Sequence, residues 1–185
     1  MNVSTVKDKT IKGVSHFFEE IKNFLWGIGY FGWQIAFLYG LYVSFNYKIT
    51  YGLLFLILFL TSGFINENIF KKFIYNLRPL NSTKFLHSEV FRKKTNGMPS
   101  GHAQQTAFAL TYTYLLTHKY FYESITLFLI TVTQRYIFKN HTMPQLIVGS
   151  VCGIILGALA FYITNLVNAR SNSNTNKSEQ TVEKL

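Results

Sequence analysis

Residues 51–64 read YGLLFLILFLTSGF. Wound into a helix, this stretch has apolar side chains all round its axis and no face to offer water. It lies inside a charge-free run from Ile49 to Asn66, and further such runs span 23–47, 95–117 and 142–169. A shorter run, Ser124 to Gln134, lengthens to Tyr120–Phe138 if Glu123 is tolerated. A membrane-crossing helix needs roughly 20 mostly apolar residues. We therefore read an all-α fold, a polytopic transmembrane helical bundle of about five spans, near 24–45, 50–70, 101–117, 121–138 and 145–165. A soluble bundle with a very apolar core is the weaker reading, because residues 51–64 leave it no polar surface.

The flanks differ in character. Ile11, Val14, Phe17, Phe18, Ile21 and Leu25 recur at helical spacing, with Lys12, Glu19, Glu20 and Lys22 between them. That pattern suggests an amphipathic helix at the membrane interface, or equally a plain lead-in to the first span. The expected division is an interfacial segment over 1–23, a transmembrane domain over 24–166 and a disordered polar tail over 167–185. No secretory signal peptide is expected, since a polar stretch precedes the first apolar run. Gly149, Gly153 and Gly157 repeat at the spacing that lets helices approach closely, and Cys152 reads as a small packing residue among them. A net charge of +10 raises nucleic acid as a partner. The basic residues sit in short loops, however, and no nucleic-acid-binding motif is present. Such loops meet anionic lipid headgroups or set topology.

Crossing the spans in order brings three separated clusters to one membrane face: KKFIYNLRP (71–79), GMPSGH (97–102) and RYIFKNHTMPQ (135–145). Together they supply Lys71, Arg78 and Arg135 as cations, His102 and His141, and a glycine-containing turn at a helix start. This is equipment for phosphate. Arginine's planar fork matches phosphate oxygens, and lysine adds a point charge. Backbone N–H groups at a helix N-terminus add donors and a positive potential. No metal site is expected: the sole aspartate is Asp8, and Glu67, Glu89 and Glu123 are isolated from one another.

The spacings K-x6-R-P (Lys71, Arg78, Pro79), P-S-G-H (Pro99 to His102) and R-x5-H (Arg135, His141) resemble those of the type 2 phosphatidic acid phosphatase and haloperoxidase superfamily. Within it, GMPSGHAQ and NHTMPQLIVG look most like the dolichyldiphosphatase branch. The resemblance covers about residues 50–165. It implies a metal-independent phosphatase without cofactor. His141 would be the nucleophile forming a phosphohistidine, and His102 the general acid. Lys71, Arg78, Ser100, Gly101 and Arg135 would bind the phosphoryl group. Two positions depart from the superfamily's usual pattern. Gln134 stands where serine precedes the third-motif arginine. Gln145 stands where an aspartate usually follows the nucleophile. We expect Gln145 to orient His141 through its carbonyl, supplying a hydrogen bond but no full charge.

A site at the lipid–water boundary implies a lipid phosphate or diphosphate substrate, with a polyisoprenyl diphosphate first and a phosphatidate-type monoester second. The chain would be a multi-pass protein of an endomembrane or, in a bacterium, of the plasma membrane. The positive-inside rule would put the basic face in the cytoplasm, whereas the resemblance implies an extracytoplasmic site. Two alternatives use the same residues. One is a disabled relative that binds anionic lipid or a partner; the other is a phosphotransferase passing the phosphoryl group to an alcohol.

Overall fold

The computed structural model describes the backbone of residues 3–80, 82, 83, 85 and 96–182, and the side chains of those from 16 to 173. His87 and Glu89, and the side chains of Asp8, Ile11, Lys12 and Val14, lie outside the described residues. The helices are α1 (Val3–Tyr30), α2 (Gly32–Tyr47), α3 (Ile49–Ile65), α4 (Lys71–Phe73), α5 (Gly101–Thr117), α6 (Phe121–Ile137) and α7 (Met143–Val182). A π-helical turn, Asn66–Phe70, joins α3 to α4. Among the described residues no strand forms; one antiparallel bridge links Leu77 to Asn96.

Aromatic side chains fill the centre. Phe55 and Phe59 of α3 meet Phe108 and Tyr112 of α5, with ring centroids 5.0 Å apart for Phe55–Tyr112 and 5.6 Å for Phe59–Phe108. Trp33 and Phe37 of α2 pack against this cluster. The opposite face of α3 is also apolar and points outward: Leu53, Ile57, Leu60 and Phe64 are each about half exposed or more. Ile147, Val151, Ile154 and Leu159 do the same on α7. Helices that are apolar both inside and outside suit a bilayer rather than water.

Two helical stretches are long and apolar enough to cross a membrane, Ile49–Phe73 and Met143–Ser173. By contrast α2, α5 and α6 have 16, 17 and 17 residues. At a rise of ~1.5 Å per residue each is about 25 Å long, short of a hydrocarbon core of about 30 Å. Length and hydropathy alone thus single out two candidate spans, and the other three of the expected five are not shown on those grounds.

The N-terminal segment is continuous with the first apolar run in α1, as a lead-in to a span would be, and the helix breaks at Phe31. Two glycines flank this break because α6 crowds them: a Cβ on Gly29 would lie 2.6 Å from Cβ of Gln134, and one on Gly32 would lie 2.9 Å from Cβ of Thr131. At the other end α7 runs to Val182. No glycine or proline follows Gly157 to interrupt it.

The α5–α7 contact sets the frame for the site. A Cβ on Gly149 would lie 2.5 Å from the Ser100 carbonyl oxygen, and one on Gly157 would lie 2.6 Å from that of Phe108. Gly153 abuts the Gln104 carbonyl in the same way. Glycines spaced by four on α7 thus ride on carbonyls spaced by four on α5, bringing the two helix N-termini side by side.

Candidate active site

The three clusters are bound to one another by a closed set of hydrogen bonds. Asn96 joins the first two: its Oδ1 accepts from the Asn76 N–H at 2.9 Å and the Met98 N–H at 3.2 Å, while its Nδ2 donates to the Lys71 and Ile74 carbonyls. The Gly97 N–H returns a bond to the Asn76 carbonyl at 2.8 Å. The Ser100 N–H donates to the Gln145 carbonyl at 3.0 Å, joining the second cluster to the third. The Gln145 side chain closes the ring by donating to Oδ1 of Asn76 at 2.5 Å and to the Leu77 carbonyl at 2.9 Å.

That last contact fixes more than position. The Gln145 amide is fully buried, and its NH2 group faces the acceptors on Asn76 and Leu77. Its Oε1 must then face the other way, where it accepts from the Thr142 N–H at 3.2 Å and lies 3.1 Å from Nδ1 of His141. An amide oxygen only accepts, so Nδ1 carries the ring proton and donates it. Nε2 of His141 is left with its lone pair, and the Arg78 Nη1 donor sits 3.3 Å from it. The two contacts agree on one tautomer. His141 is 2% exposed. Burial first, then the Arg78 guanidinium, push its imidazole down to about 3 against the opposing Gln145 bond. The ring is therefore neutral at ordinary pH, with Nε2 available as a nucleophile.

His102, in the first turn of α5, meets Nη2 of Arg135 through its own Nε2, and its ring lies T-shaped to that of Trp33 with centroids 6.2 Å apart. Arg135 is 4% exposed and stacks over Tyr30 at 5.0 Å. Lys71 pairs with Glu67 one turn earlier. The Glu67 carboxylate also approaches the start of α5, 3.6 Å from where a Cβ on Gly101 would be. Arg78, Arg135, His102 and His141 are thus brought into direct contact in two pairs, with Lys71 held beside them by the π-helical turn.

The residues of GMPSGH divide their tasks in an unexpected way. Ser100 is buried, and its hydroxyl caps α5 by accepting from the Ala103 N–H at 3.4 Å. Gly97 sits at the closest approach: a Cβ there would lie 2.7 Å from Oε1 of Gln145 and 2.8 Å from Cγ of Arg78. Gly101 has ordinary room. Gln134 is fully buried and backs onto Gly29 of α1. Sequence reasoning missed Asn76, Asn96 and Glu67. Only the last left a signal, its four-residue spacing from Lys71. Among the described residues no three His, Cys, Asp or Glu side chains gather as metal ligands would.

An open cavity of about 600 Å³ adjoins His141, walled by Pro79, Tyr136, Ile137, Lys139, Thr142 and Met143. A buried imidazole with a directed lone pair, guanidinium groups within reach and a cavity beside it make an arrangement suited to taking up a phosphoryl group. No curated protein and no solved structure matches the chain. Residues 50–169, which carry all three clusters and the helices that position them, match the model of the PAP2 superfamily, and the chain belongs to that superfamily.

Proposed function

We propose that this protein is a multi-pass membrane lipid phosphatase that works through a phosphohistidine on His141. Membership of the PAP2 superfamily supports phosphoric ester hydrolysis and a lipid phosphate substrate in general. The observation that carries the finer reading is the chain Asn76/Leu77–Gln145–His141–Arg78, which leaves Nε2 aimed and unprotonated.

In the first step Nε2 of His141 attacks phosphorus, and the bond to the lipid oxygen breaks. A monoester's leaving oxygen takes a proton from His102, which enters this step as an imidazolium with its Nε2 turned from Arg135 by the bound phosphate; a leaving phosphate departs as an anion. In the second step water attacks the phosphohistidine, His102 accepts its proton, and the P–N bond returns its electron pair to Nε2. Arg78, Arg135 and Lys71 neutralise the phosphoryl oxygens as charge spreads over them. Ser100 acts by capping α5, whose N-terminus faces the site. Gln145 takes the role an aspartate has elsewhere, holding the tautomer without a charge.

A polyisoprenyl diphosphate is the favoured substrate and a phosphatidate-type monoester the second. The test is phosphate release from a polyisoprenyl diphosphate by detergent-purified protein in EDTA, beside His141→Ala. Release that persists in EDTA and disappears in the variant is the expected result. Equal release by the variant would remove His141 from the chemistry.

A further inference from the structure

We propose that Lys139 selects a diphosphate over a phosphate monoester by neutralising the phosphate group that leaves. This deepens the phosphohistidine reading above and rests on it.

Lys139 sits in the turn between α6 and α7, two residues before His141, and both residues line the same cavity. Its backbone is in the left-handed region, with φ of 52°. That conformation costs a residue with a Cβ free energy and is usually given to Gly or Asn. The turn is nevertheless held from several sides. The Lys139 N–H donates to the Tyr136 carbonyl at 2.9 Å, and the Asn140 N–H donates to that of Arg135 at 3.0 Å. Thr83 donates both its N–H and its hydroxyl to the Phe138 carbonyl, at 2.9 and 3.1 Å. Non-glycine residues kept in this region by their surroundings gather at functional sites.

The cavity wall has two characters. Pro79, Tyr136, Ile137 and Met143 are apolar or amphipathic, and the last three are about half exposed. Lys139 is the permanent cation on that wall, and among the described residues no acidic side chain pairs with it. A wall of that kind fits a ligand that carries a second anionic group beside the reacting phosphorus and continues as a hydrocarbon chain.

The chemistry makes this a discriminating feature. When Nε2 of His141 attacks the terminal phosphorus of a lipid diphosphate, the bridging P–O bond breaks. Its electron pair stays on the departing lipid monophosphate, which gains negative charge. The Lys139 ammonium stabilises that charge as it develops. A monoester instead expels an alcohol oxygen that takes its proton from His102, and it offers Lys139 no departing phosphate. Hydrolysis of the phosphohistidine is the same in both cases.

The experiment compares kcat/KM for geranylgeranyl diphosphate with that for geranylgeranyl monophosphate, using the full chain in detergent. The proteins are wild type, Lys139→Gln, Lys139→Gly, Lys139→Arg and His141→Ala. The ratio of the two values should fall ~10-fold in the glutamine and glycine variants, as loss of one charge-assisted contact implies, and return in the arginine variant. Glycine relieves the left-handed backbone, so that variant reads the charge even if glutamine impairs folding. An unchanged ratio in Lys139→Gly overturns the proposal, because backbone shape would then suffice. Wild-type turnover of the monophosphate alone, abolished by His141→Ala, overturns it while leaving the phosphohistidine reading intact. Diphosphate turnover that persists in His141→Ala sinks both.

Discussion

The side-chain oxygen of Gln145 lies 3.1 Å from Nδ1 of His141, on the opposite edge of the ring from the nitrogen that Arg78 approaches. A neutral amide thus faces the ring at the position where the sequence led us to look for an aspartate. Its direction is set by Asn76 and Leu77. The difference between an amide and an acid at this position therefore lies in what stands behind it.

Gln145→Glu should be worse than wild type, although it introduces the missing charge. One carboxylate oxygen would face the Asn76 and Leu77 carbonyl groups, which now receive the amide N–H bonds. Leaving buried groups without their hydrogen bonds costs about 1–3 kcal/mol. Thermal unfolding should show a lower Tm, and kcat should drop. Gln145→Ala should lower kcat by roughly 10²-fold, in the range of lost positioning of a reacting group, with a smaller effect on KM.

Gly97 and Gly101 should respond oppositely to alanine, though both belong to the same six-residue stretch. Gly97→Ala forces a methyl against Oε1 of Gln145 and Cγ of Arg78, so we expect a loss of roughly 1–3 kcal/mol, the usual cost of overpacking. At Gly101 the nearest atom would be 3.5 Å away. Alanine there should be stable within ~0.5 kcal/mol of wild type or slightly better, since it favours the helix. Denaturant melts of the two variants check both outcomes.

The depressed basicity of His141 has a measurable consequence. In the ligand-free protein, ring-nitrogen NMR should show His141 as the neutral Nδ1–H tautomer from pH 8 to pH 5, because its imidazole titrates only near about 3. An exposed histidine protonates near about 6.5. The unfolded chain therefore takes up this proton first as pH falls. The stability contributed by His141 is present above about pH 6.5 and declines as pH drops toward 3.

If Lys71 binds the substrate phosphate as proposed, its ion pair with Glu67 competes with that binding. Glu67→Gln removes one anion from the start of α5 and from the Lys71 ammonium. Inhibition by inorganic phosphate should tighten, but only several-fold, because the Glu67 carboxylate is half exposed and its field is screened. Ki measured at two ionic strengths is the check, with the smaller effect at high salt.

The meeting of Lys71, Arg78, His102, Arg135 and His141 was legible in the sequence because short motifs sat at the ends of recognisable apolar runs. Helix order alone then put them at one end of the bundle. The close packing of Gly149, Gly153 and Gly157 was legible for a similar reason, since spacing by four defines one helix face. What holds the clusters together was not. Asn96 and Gln145 act on backbone carbonyls distant in sequence, and a carbonyl has no letter in the sequence to mark it. Gln145 accordingly read as an orienting carbonyl in place of an aspartate, and the use of its amide nitrogen on Asn76 and Leu77 was not legible. The division of the first apolar run at Phe31 depends on how tightly α6 crowds Gly29 and Gly32, a tertiary matter. Ser100 stood in a phosphate-binding motif, and only the capping geometry reveals its use by α5.

The central claim is that phosphate passes through His141. The most direct measurement is to quench the detergent-purified protein during turnover of a lipid diphosphate carrying a labelled terminal phosphate. The modified residue is then located by mass spectrometry under conditions that preserve phosphohistidine. The account predicts label on His141, absent from His141→Ala and accumulating in His102→Ala, where removal by water is slowed. Active turnover with no label on the protein, or with label on another residue, would contradict it.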